Sequence, residues 1–97
     1  MVQTVKSETI SAGHKKIVFE KPRVLRRIFM SIIAHTTTEA WYETRLSFDD
    51  PGFHSYYTLA GCSKYFEVKG EGMSQGDVWA YNVSTIDILY TMTEILV

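Results

Sequence analysis

A single cysteine, Cys62, stands among the 97 residues, so no disulfide can close within the chain and the fold does not depend on an oxidising compartment. Its side chain reads as a small buried hydrophobe, with a reactive thiol as the alternative. No apolar run approaches the ~18 residues of a membrane span. The opening MVQTVKSETI has no basic start followed by an apolar stretch, so no secretory signal is expected. Without one, Asn82-Val83-Ser84 is a chance glycosylation sequon. His14, His35 and His54 do not pair with each other or with Cys62 at ligand spacing, and no metal site is expected. Nucleophile-elbow, phosphate-loop and dinucleotide patterns are missing. Gly70, Gly72 and Gly76 are followed by a strand pattern, where a phosphate cradle needs a helix. Asp49 and Asp50 can be imagined with Asp77 around calcium, but DDPG is first a turn sequence. The expectation is a protein that is not an enzyme, with no cofactor and no metal.

What is present points to a β fold. Hydrophobic residues make up 45% and charged residues 22%, the balance of a globular chain and not of a disordered one. The length suits one domain over residues 1–97. Aromatics reach 13%, and six tyrosines and five phenylalanines suit pleated, half-buried surfaces.

The run Cys62–Val83 alternates on both sides of its glycines. Cys62, Lys64, Phe66 and Val68 oppose Ser63, Tyr65, Glu67 and Lys69; Val78, Ala80 and Asn82 oppose Trp79, Tyr81 and Val83. This reads as a β-hairpin with a long loop, in which Met73 is either an exposed apex or a plug over the core. Residues 1–8 read as an extended N-terminal arm, with a short first strand from Thr9 to Ala12 and a turn at Gly13-His14. Lys15–Glu20 is a strand ended by Lys21-Pro22. Val24–His35 admits a helix or a strand. Its three isoleucines and the lack of caps favour a strand buried on both sides, in which Arg26 is the misfit. In Glu39–Phe48 the face of Ala40, Tyr42, Thr44, Leu46 and Phe48 is the more apolar, leaving Trp41 outside. Asp49–Gly52 is a turn, and Phe53–Ala60 is a strand. Ile86–Val97 is the last strand, its apolar face broken by Glu94. About seven or eight strands with turns between them predict a single antiparallel β-sandwich or jelly-roll-like barrel.

Net charge is −1, but its distribution is uneven. Up to Arg27 seven cations face two carboxylates, a net of +5; from Ile28 onward three face nine, a net of −6. Such asymmetry steers a charged partner or a neighbouring copy, unless the two halves neutralise each other in one body. Arg26 and Arg27 are neighbours on a strand and point to opposite faces. One is expected to meet solvent or a partner, the other a carboxylate or a subunit boundary. Nucleic acid is a poor fit for a chain without a basic–aromatic motif. The candidate partner-binding residues are Lys15, Lys16, Arg23, Arg26, Arg27, Trp41, Tyr57, Trp79 and Tyr81.

With its N-terminal arm, the Pro-limited strand IVFEKP and the Gly-rich VKGEGMSQGDVWAYN leading to a long last strand, the chain resembles small β-sandwich proteins of bacteriophage virions. These are capsid decoration (cement) proteins and fibre or tail adaptor modules. The resemblance covers most of the chain in style and carries over no catalytic residue. It implies a structural protein of the virion, made in the host cytoplasm. Such a protein docks on other virion or lattice proteins and self-associates, a trimer being one option, without nucleic acid or membrane. The alternative is a small carbohydrate-binding or host-attachment module that stacks sugars on Trp41, Trp79 and Tyr81.

Overall fold

The structure is a computed structural model that describes residues 1–35, 43–48, 56–60, 65–69 and 75–97. The strands are β1 (Val2–Ile10), β2 (Lys15–Phe19), β3 (Arg27–His35), β4 (Glu43–Phe48), β5 (Tyr56–Ala60), β6 (Tyr65–Lys69), β7 (Val78–Asn82) and β8 (Ile88–Leu96). Every pairing is antiparallel. Sheet A has the order β1-β8-β3-β6 and sheet B the order β2-β7-β4-β5. The expected all-β architecture holds, and no helix occurs among the described residues.

The inward faces of both sheets meet in one core. Ile10, Met30, Ile32, Ala34, Ile88, Tyr90 and Met92 enter from sheet A, and Val18, Phe19, Leu46, Val78 and Ala80 from sheet B. Period-two alternation explains the split: in β7 Val78, Ala80 and Asn82 are buried while Trp79 and Tyr81 lie half-buried on the other side. Inside the core, two polar links among the described residues tie the layers. The Thr44 and Tyr90 hydroxyls hydrogen-bond inside the core. The Asn82 amide donates to the carbonyls of Ile10 (2.9 Å) and Ile86 (2.8 Å). Asn82 is fully buried and so committed, which agrees with reading its sequon as chance.

Three expectations need correction. The Gly-rich stretch is not a hairpin: β6 pairs with β3 in sheet A, and β7 pairs with β2 and β4 in sheet B. The two runs belong to different sheets, and alternation on both sides of a loop cannot say whether the two runs pair. The N-terminal segment is not an arm ahead of a strand at Thr9. It is already β1 from Val2, paired with β8 along its length. It read as an arm because it is exposed on both faces and its ladder partner is some 90 residues away. Third, β3 begins at Arg27, and Val24 to Arg26 precede it as loop. Otherwise β3 lies between β8 and β6, as the two-sided run required. The Asp49–Gly52 turn, Met73, Cys62, His54 and Trp41 lie outside the described residues.

The outward face of sheet A has an unusual composition. Across β1, β8 and β3 its rows are Gln3-Ile95-Phe29, Val5-Thr93-Ser31, Ser7-Thr91-Ile33 and Thr9-Leu89-His35. None of these positions is Asp, Glu, Lys or Arg.

Candidate functional site: a basic, apolar tip held by a buried ion pair

The β2–β3 connection, Glu20 to Arg26, passes from sheet B to sheet A at one end of the molecule. Its sequence EKPRVLR cannot extend β2, because Pro22 lacks the ladder N–H. The result is a protruding loop. Val24 is 92% exposed and Leu25 40% exposed, flanked by the exposed Lys21, Arg23 and Arg26. No acidic partner is found for these three cations among the described residues. Exposed Met1, Val2 and Val97 lie at the same end, because Val2 pairs with Leu96 and Arg26 exchanges backbone hydrogen bonds with Val97 at 2.7 and 2.8 Å.

The loop stands on a buried support built from Arg27. A register shift between Arg27 and Phe29 against β8 inserts one extra residue in β3. The resulting bulge reverses the alternation, so Arg27 points inward although strict alternation would place it outward with Phe29. It is 1% exposed. Arg27 Nε donates to Glu94 Oε2 at 2.8 Å, Nη1 to the Gly76 carbonyl at 2.9 Å and Nη2 to the Glu20 carbonyl at 3.0 Å. Its guanidinium also lies 5.9 Å from the Phe19 ring centre, within cation–π range. The Gln75 amide bonds both the N–H and the carbonyl of Arg27 at 2.8 Å, and the Lys21 N–H donates to Asp77 Oδ1 at 2.7 Å. One side chain thereby fixes β2, β3, β8 and the chain entering β7. An open depression of about 410 Å³ beside it is lined by Lys21, Gln75, Gly76 and Asp77.

The nine candidate residues do not converge on one site. Arg23 and Arg26 are at the tip. Arg27 is removed from the partner-binding set, because its charge is spent inside on Glu94. The expected division of Arg26 and Arg27 between solvent and a carboxylate is what the structure shows. Lys15, Trp79 and Tyr81 lie on the outward face of sheet B, where Tyr81 sits between Lys15 and Arg45, and Trp79 between Ile17 and Ser47. Among the described residues Trp79 Nε1 is buried without a hydrogen-bond partner. Lys16 bonds Glu8 at 2.7 Å at the open side between β1 and β2. Tyr57 is on β5, paired with Leu46, and Trp41 is outside the described residues.

Sequence reasoning missed Glu94 and Gln75 as the supports of Arg27. The signal for Glu94 was present: it is the one carboxylate interrupting the apolar face of the last strand. Gln75 had none. Among the described residues no group of three His, Cys, Asp or Glu is placed to hold a metal, and no helix is long and apolar enough to cross a membrane. No protein-family model matches the chain, and no curated protein matches it.

Proposed function

We propose that this chain is a non-enzymatic structural protein that binds other proteins in a larger assembly, docking through the tip at residues 21–26. The observation that carries this is Val24, almost fully exposed between Arg23 and Arg26, which have no acidic partner among the described residues. One exposed valine is ordinary on a monomer, but Val24 with the exposed Leu25, Met1, Val2 and Val97 at the same end gives an interface an apolar anchor beside charges that choose the partner. The chemistry fits an acidic protein surface with an apolar recess. The rigid support under the loop means that little ordering entropy is lost on docking.

The fold reading that accompanies this proposal is an eight-stranded jelly roll. β1 pairs with β8, β2 with β7, β3 with β6 and β4 with β5, the pattern of one long hairpin rolled into two layers. Jelly rolls serve capsid and lectin proteins among others, and fold alone does not choose between them. The resemblance in the sequence favours a bacteriophage virion, with capsid decoration or fibre and tail attachment as the role. The test is binding to assembled particles as a function of salt, with Arg23→Glu, Arg26→Glu and Val24→Asp beside wild type. Charge-guided docking weakens as salt rises, since screening acts within about 10 Å at 0.1 M. Each reversal weakens it further, and Val24→Asp abolishes it. Binding that is flat in salt and indifferent to all three removes the tip from the account.

A carbohydrate-binding role is the second reading, favoured by Trp79 and Tyr81, two positions apart on the outward face of β7. Saccharide titration then shifts the tryptophan emission, and Tyr81→Ala removes the shift. Unchanged emission with every sugar class excludes it.

A further inference from the structure

We infer that the outward face of sheet A is a contact between two copies of this chain. The inference is independent of the tip, which lies at the end of the sheet and not on its face. The rows across β1, β8 and β3 place no charged residue on this face, whereas the outward side of sheet B carries Lys15, Glu43 and Arg45. A face that meets itself about a two-fold axis brings each residue near its own counterpart, and any charge would be set against its like. Absence of charge removes that penalty.

The polar groups that are present suit the same partner. Ser7, Thr91 and Thr93 offer hydroxyls, each both donor and acceptor, so a hydroxyl row can satisfy a copy of itself. Thr91 already shows this adaptability, meeting Ser7 Oγ at 3.3 Å and His35 Nε2 at 2.8 Å. The apolar part is exposed enough to gain from burial: Val5 is 59% and Leu89 46% exposed, on opposite sides of those hydroxyls. The exposed Glu67 on β6, opposite Ser31, sets a charged border beyond them.

The size suits a weak, reversible dimer. Three strands of nine residues, at about 4.8 Å between strands and about 3.3 Å per residue, cover on the order of 430 Å². Two such faces bury about 850 Å², the small end of the range, where association is transient and not obligate. A partner selected by charge finds nothing to recognise on these three strands, and a second copy matches them in polarity.

Sedimentation velocity on the full chain over a concentration series tests this, with Val5→Lys, Leu89→Lys and, as a control at the tip, Val24→Lys. The wild type forms a dimer whose dissociation constant is unchanged between about 0.05 and about 0.5 M salt. Val5→Lys and Leu89→Lys each raise that constant about tenfold or more by placing like charges across the axis. Circular dichroism stays as in the wild type, and so does the melting temperature at concentrations where the wild type is monomeric, since both sites are exposed. Val24→Lys leaves the dimer intact. A chain that stays monomeric throughout, or association that survives both face variants, or association lost in Val24→Lys alone, overturns the inference. Because no particle enters the experiment, its failure is distinct from failure of the tip.

Discussion

Arg27 and Glu94 show what one misread side chain can organise. Their side chains are 0% and 12% exposed, so desolvation offsets much of the attraction, and the pair is better understood as a specifier of geometry than as a source of net stability. Removing one member leaves the other buried and unpaired. Glu94→Leu or Arg27→Met is therefore expected to cost about 3–5 kcal/mol in urea or thermal unfolding. The double variant should lie within about 1 kcal/mol of the wild type in stability, but with the loop at 75–77 and the tip no longer anchored, which amide exchange at Lys21 and Gly76 will report. A double variant as unstable as either single one contradicts this account. Tyr90→Phe probes the link across the layers. It leaves Thr44 buried in the core without its hydroxyl partner, at a cost of about 1–3 kcal/mol. The need for Arg26 and Arg27 to part company was legible in the sequence. Which one turned inward was not, because a bulge at Ile28 reverses the parity that alternation assumes.

At the scale of elements, strands were legible where one face is wet. β4 and β7 alternate as read, β2 was recognised as a strand ended by Pro22 although a bulge buries Val18 and Phe19 together, and β3 was recognised through its β-branched run. What did not show was partnership. β6 and β7 are neighbours in sequence and belong to different sheets, while β1 and β8 pair from opposite ends of the chain. Alternation is a local property and pairing is not, so the Gly-rich run resembled a hairpin equally well. The short β1–β2 connection is a case where local chemistry suffices. Gly13 has φ of +75°, and His14 N–H closes the turn on the Ser11 carbonyl at 3.0 Å. Gly13→Ala has open space around it and still pays for the left-handed backbone, about 1 kcal/mol in unfolding free energy. Asn82→Ala, at the end of β7, takes from the Ile10 and Ile86 carbonyls the donor that the Asn82 amide supplies. It is expected to cost more, about 2–3 kcal/mol. If Gly13→Ala proves the costlier of the two, the polar tie between the layers is weaker than its geometry implies.

At the scale of the molecule, the charge asymmetry of the linear chain becomes local once folded. Lys16 is matched by Glu8 and Arg27 by Glu94, which removes part of the basic excess, and among the described residues Lys21, Arg23 and Arg26 form a basic cluster without a carboxylate partner. The sequence showed the excess but could not show this concentration, because neutralisation depends on which strands come together. The central claim, that the chain is a bound component of an assembly, is tested most directly by purifying particles from cells that make this protein and measuring its abundance by quantitative mass spectrometry. The account predicts a fixed, stoichiometric ratio to the particle's major protein in the wild type. In Val24→Asp the chain is lost from the particles but remains folded in the supernatant. Absence from purified particles, or a ratio that varies between preparations and ignores the tip, would contradict it.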